Sequence, residues 1–109
     1  MGLGDVNLEA MRATCAELAQ DHPGLELVPL ELNVGEEQSI DRAVALTASK
    51  FGRIDYAVNN AGVSGSMEPT AEHSTEDWQK LMAVNLTGVW MSERAEIRQM
   101  LKQGWSESR

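Results

Sequence analysis

Three asparagines occupy positions where a carboxamide is costly. Asn59 and Asn60 close the apolar run Asp55-Tyr56-Ala57-Val58 and lead directly into Ala61 and Gly62, and Asn85 interrupts the stripe formed by Trp78, Leu81, Met82 and Val89. A carboxamide offers two donors and an acceptor oxygen, so the chemistry on offer is orientation by hydrogen bonding. Two in succession at a strand end either tie neighbouring loops while the backbone faces a ligand, or form an ordinary Asn-rich turn. On its helical stripe, Asn85 is either satisfied by backbone groups or held there for a task. A short apolar run that opens into polar residues and glycine has the pattern of a buried parallel strand bordering a crevice, where ligands bind in open α/β sheets.

Other chemistries find little support. Cys15 is the only cysteine, which excludes an internal disulfide, and with only His22 and His73 beside it no metal-ligand spacing can be drawn, so no metal site is expected. Gly62-Val63-Ser64-Gly65-Ser66 is one position short of a nucleophile elbow, and no His or acid follows in the required order. Gly2-Leu3-Gly4 lacks both the preceding strand and the third glycine of a dinucleotide fingerprint, and reads as a flexible start that feeds a helix. With 109 residues, 42% hydrophobic and 24% charged, the composition is that of one soluble globular domain, residues 1–109. A net charge of -8 provides no basic stripe, so no nucleic-acid partner is expected. No membrane span or signal segment is legible, and a reducing, cytoplasmic location is the expectation.

The elements that must position the amides follow from periodicity. Leu8, Met11, Cys15 and Leu18 recur at helical spacing, and Pro23-Gly24 ends that helix. Residues 25–32 form a strand in which Pro29 indicates an edge, followed by Asn33-Val34 and by Gly35 as an N-cap. Ile40, Ala43, Val44, Thr47 and Phe51 face inward on a helix that stops at Gly52. Ile54 to Val58 is expected as a second strand buried between helical layers, completing a βαβ unit. Ser74 with Asp77 forms a capping box, opening a helix in which Gly88 costs about 1 kcal/mol relative to alanine and implies a closely packed backbone.

Ile54 to Gly62, together with Val84-Asn85-Leu86-Thr87-Gly88, resembles the short-chain dehydrogenase/reductase family, and the similarity extends over roughly Asp5 to Gly104. The resemblance implies an α/β fold, a partial Rossmann-type parallel sheet holding the family's strands 3 and 4 with helices 2, 3 and 4. It implies that Asn59, Asn60, Ala61 and Gly62 are the Asn-Asn-Ala-Gly motif lining the cofactor cleft. Asn33-Val34 falls where the family usually has Asp-Val beside the adenine ring, with a neutral amide replacing the acid. Asn85 falls on the asparagine of the Asn-Ser-Tyr-Lys catalytic tetrad, which holds a water in the proton relay. The implied reaction is hydride transfer between NAD or NADP and a small alcohol or carbonyl substrate.

Neither a Thr-Gly-x-x-x-Gly-x-Gly turn nor a Tyr-x-x-x-Lys pair occurs in the sequence, since Asn60 stands where a lysine would follow Tyr56. The resemblance therefore reads as a chain truncated at both ends, starting at the helix after the family's second strand, with very weak or absent NAD(P) binding and no activity of its own. Strands 3 and 4 are not neighbours in the family's sheet, so they are expected to pair directly, find outside strands or fray. The alternative is a non-catalytic interaction fragment docking on an intact homologue through helix 75–102, the family's usual subunit contact, through which a homo-oligomer is also expected.

Overall fold

The two glycines near the amino end belong to a strand, not to a flexible start. In the computed structural model, which describes residues 1–105, Gly2–Asp5 forms β1 and pairs in parallel with β2, Val28–Glu31, in the register Gly2↔Val28 to Asp5↔Glu31. Gly2 and Gly4 lie on one face of β1, where an added Cβ would stand 2.8 Å from Thr47 Oγ1 and 2.7 Å from Leu32 Cδ2 respectively. Close packing, not a phosphate turn, calls for glycine at both positions. The expectation that the chain starts only at a helix is corrected accordingly: a strand precedes it. The polar stretch 105–109 is expected not to begin a further strand, and beyond Trp105 it lies outside the described residues.

Between the strands runs α1, Leu8–Asp21, capped by Asn7, whose Oδ1 accepts from the Ala10 N–H at 2.9 Å. Its apolar stripe turns Cys15 into the core, as the spacing predicts. The second strand is shorter than the expected 25–32, because β1 offers only four residues to pair with. Val28 donates to Met1, just before the first strand, and Leu32 to Asp5 at its end, so by alternation the nitrogen of Pro29 faces the outer edge, where its missing N–H costs nothing.

The next helix, α2 (Glu37–Phe51), buries Ser39, Ile40 and Ala43 and ends at Gly52 with φ 83°. Its N-cap is Glu36 instead of the expected Gly35, and the helix start is secured by Ser39, whose Oγ accepts the Asn33 N–H at 2.8 Å. Ile40, Ala43, Leu30, Val34, Cys15 and Ile54 are the buried apolar residues among those described.

The second expected strand is where sequence and structure part. Residues 54–58 join no ladder among the described residues, and the two-stranded sheet is β1–β2. Ile54 is buried at 8% exposure, whereas Tyr56 and Val58 are 80% and 87% exposed, so burial between two helical layers is not found. The α/β class and the parallel sheet with flanking helices stand, but with a different pair of strands. The chain is correspondingly open: its radius of gyration is 16.2 Å, against about 13 Å for a compact domain of this length.

The predicted helix 75–102 is three pieces in one run. α3 (Thr75–Met82) passes through a π-helical turn, Ala83–Gly88, into α4 (Val89–Gln103). Ser74 Oγ accepts from the Asp77 N–H at 3.1 Å, the expected cap. Arg94 ties α4 to α2 through Glu37 at 2.5 Å while lying 4.3 Å over the Trp90 ring. Among the described residues no helix is long and apolar enough to cross a membrane.

Candidate functional site

The π turn is the junction at which several of the expected site residues meet. A wider turn adds one residue to the helical repeat and redirects side chains, and such turns recur at functional positions. On one side, Gly88 meets the carboxyl end of β2: a Cβ there would lie 2.6 Å from the Val34 carbonyl oxygen and 3.0 Å from Val34 Cγ2. The close-packed backbone expected at Gly88 is therefore Val34 of the same chain. Ser92 Oγ, buried, donates to the Gly88 carbonyl at 2.8 Å and fixes the exit of the turn.

On the other side, Asn85 meets the loop that follows the Asn-Asn-Ala-Gly stretch. Its Oδ1 accepts the Val63 N–H at 2.8 Å and its Nδ2 donates to the Val63 carbonyl at 2.8 Å. Both polar atoms of the Asn85 side chain are thus bonded to backbone groups. The amide pairs with both backbone groups of one residue as a neighbouring strand would.

Asn33 and Val34 leave β2 in a tight turn, with Asn33 Oδ1 accepting the Gly35 N–H at 2.9 Å and the Asn33 carbonyl accepting the Glu36 N–H at 3.0 Å. With its side-chain oxygen accepting Gly35, Asn33 keeps the Nδ2 donor as its other hydrogen-bonding group. Asn59 donates through Nδ2 to Glu96 Oε1 on α4 at 2.6 Å. Burial pushes the Glu96 carboxyl above the usual carboxylate range; the Asn59 hydrogen bond opposes that rise and nearby Glu93 adds to it. Asn60 and Ala61 are exposed and outside regular structure, and Gly62 follows with Asn85 Oδ1 3.5 Å from where its Cβ would be. The structure thus gathers Asn33-Val34 and Gly62-Val63 around Asn85 and Gly88, and ties Asn59 further along α4.

Two polar residues escaped the sequence reading. Asp5 ends β1 beside the β2 exit, its carbonyl accepting the Leu32 N–H at 2.9 Å and its Oδ1 accepting the Asn7 N–H at 3.0 Å. The signal was available, an acid closing a short segment just before an amphipathic helix, but the glycines masked the strand. Gln103, at the end of α4, binds both backbone groups of Ile54, and no local pattern announces it. Among the described residues no group of three or more His, Cys, Asp or Glu could hold a metal ion.

Comparison with known proteins gives this geometry its context. The chain is 31% identical over 104 residues to levodione reductase of Leifsonia aquatica and 36% identical over 104 residues to sorbitol dehydrogenase of Cereibacter sphaeroides. Each alignment covers 95% of this chain but only 39% and 38% of those proteins, so the chain spans about two fifths of the relatives it matches. A crystal structure of levodione reductase superposes with a TM-score of 0.88 at 30% identity, covering 94% of this chain and 40% of that one. The structure of an NAD+-bound xylitol dehydrogenase gives 0.85 at 29% identity, covering 94% and 38%. A profile of the short chain dehydrogenases matches residues 2–107. The strand-end turns gathered on a π turn, the asparagines and these matches together place the chain in the short chain dehydrogenase family.

Proposed function

We propose that this chain forms two walls of a nicotinamide dinucleotide cleft in an oxidoreductase that moves hydride between the nicotinamide and a small alcohol or carbonyl compound. The observation that carries the reading is the π turn, which holds the β2 exit through Gly88 and the Asn-Asn-Ala-Gly loop through Asn85. Asp5, Asn33 and Val34 suit the adenosine end, since adjacent parallel strands bring an exposed carboxylate and a carboxamide to their carboxyl ends. Asn59 to Gly62 and Asn85 form the facing wall. The bound nicotinamide would supply hydride acceptance and release, while this chain's own residues orient and exclude water.

Asp5 also sets the choice of cofactor. A carboxylate at this strand end accepts a hydrogen bond from a ribose hydroxyl and repels a phosphate in the same place, so NAD is preferred to NADP. Without a glycine turn to bind the pyrophosphate, affinity of the 109-residue chain is expected in the millimolar range. Titration followed by amide chemical shifts is expected to perturb Asp5, Asn33, Val34 and Asn59 to Gly62 with NADH, and more weakly with NADPH. Asp5→Asn is expected to reduce that preference by about tenfold, the worth of one charged hydrogen bond. Shifts confined to other surfaces would sink the reading, and micromolar binding would contradict the part given to the missing turn.

A second reading has its own observation. Trp78, Leu86, Trp90, Ile97 and Leu101 are all exposed and recur at helical spacing along α3, the π turn and α4. Gly88 takes no part in that stripe, being spent on Val34. The stripe suits a second copy packed helix against helix, and on this reading the elution volume in size exclusion falls with rising concentration, whereas Trp90→Glu with Leu101→Glu elutes as a monomer throughout.

A further inference from the structure

Residues 54–63 belong to no helix or sheet ladder among the described residues, and α4 with the π turn holds them instead. Gln103 Oε1 accepts the Ile54 N–H at 2.9 Å and its Nε2 donates to the Ile54 carbonyl, the same two-bond pairing that Asn85 makes with Val63. Between these ends, Asn59 is bonded to Glu96. Positions 96 and 103 of α4 are about two turns apart and so share one face, and Asn85 reaches the same segment from the π turn. The bonded pairs 54–103, 59–96 and 63–85 run in opposite order along the segment and the helix. The segment therefore runs antiparallel to the helix with its register fixed at both ends.

Gln103 is itself held in place. Gln99 Nε2 donates to Gln103 Oε1 at 3.2 Å, Arg53 donates to the Gly104 carbonyl at 3.2 Å, and Arg53 pairs with Asp55 at 2.8 Å. A one-residue slip of the segment would leave the Gln103 amide facing a peptide in the wrong orientation and would displace Asn59 from Glu96.

We propose that Gln103 is a positioning residue: its carboxamide acts as a single rung of β-ladder, and with Asn85 it sets the register in which Asn59 to Gly62 are presented. The significance for a cofactor rests on the function proposed above, but the clamp itself does not. Its test is amide hydrogen exchange in the full 109-residue chain without any nucleotide, so a failed cofactor titration and a failed clamp are separate results.

In the unmodified chain, the Ile54 and Val63 amides are expected to exchange at least about tenfold more slowly than those of Ala57 and Val58. Equal rates at all four, with α1 and α2 protected, would overturn the clamp. In Gln103→Glu, the second carboxylate oxygen faces the Ile54 carbonyl and repels it. Protection at Ile54 is then expected to fall about tenfold at neutral pH and to return in acid, where the protonated group donates as the amide does. Gln103→Met is expected to lose the same protection at every pH and to shift the amide resonances of Asn59 to Gly62. Ile54 protection unchanged in both variants, or recovery in acid by the methionine variant, would show that Gln103 does not hold the segment.

Discussion

Gly88→Ala is expected to lower the stability of the chain by about 2–3 kcal/mol, although alanine is the better helix former. Helix propensity alone favours the substitution by about 1 kcal/mol. The added methyl, however, would lie 2.6 Å from the Val34 carbonyl oxygen and 2.9 Å from the Ala83 carbonyl oxygen. Both obstacles are backbone and cannot rotate away, so either β2 retreats from the helix or the π turn opens. Urea denaturation followed by circular dichroism checks the magnitude, with Gly62→Ala as the comparison. At Gly62 the nearest atom is a side-chain oxygen at 3.5 Å, an ordinary contact, and the expected change is below about 1 kcal/mol. If the two substitutions cost the same, the close approach of Gly88 to Val34 is not what joins the strand to the helix.

The features legible in the sequence are those decided by neighbours along the chain. Ser74 and Asp77 are three residues apart and close their own cap; Gly52 ends α2 because the last turn needs a left-handed residue; Cys15 falls on the buried stripe of α1 through spacing alone. Pro29 marked an edge because a missing N–H has only one cheap direction. The features that escaped depend on residues far apart. Gly2 and Gly4 have poor strand propensity, and only Thr47 and Leu32 packed over them show why glycine is there. Residues 54–58 carry the composition of a buried strand, but strand formation requires a partner edge, and here the partner is a glutamine 49 residues away. The site divides in the same way. The asparagines stood out by type, while the π turn that gathers them is a consequence of Gly88 and Asn85 meeting two different segments at once.

That double duty makes Asn85→Leu the second large effect. The leucine keeps the volume and loses both bonds to Val63, at an expected cost of about 1–2 kcal/mol, moderated because the loop is exposed and water replaces part of what is lost. The local consequence is larger than the global one: Val63 loses its amide protection, and the loop from Asn59 to Gly62 loses its anchor on the turn. Combining Asn85→Leu with Gly88→Ala is expected to cost less than the two separately, by about 1 kcal/mol. The methyl at position 88 forces the turn open, and an opened turn no longer aims the Asn85 amide at Val63, so the second substitution has less left to remove. Residues that merely happened to be near would give additive costs in urea denaturation. A shortfall would show that strand exit and loop are held by one element, the π turn, and not by two independent contacts on a common helix.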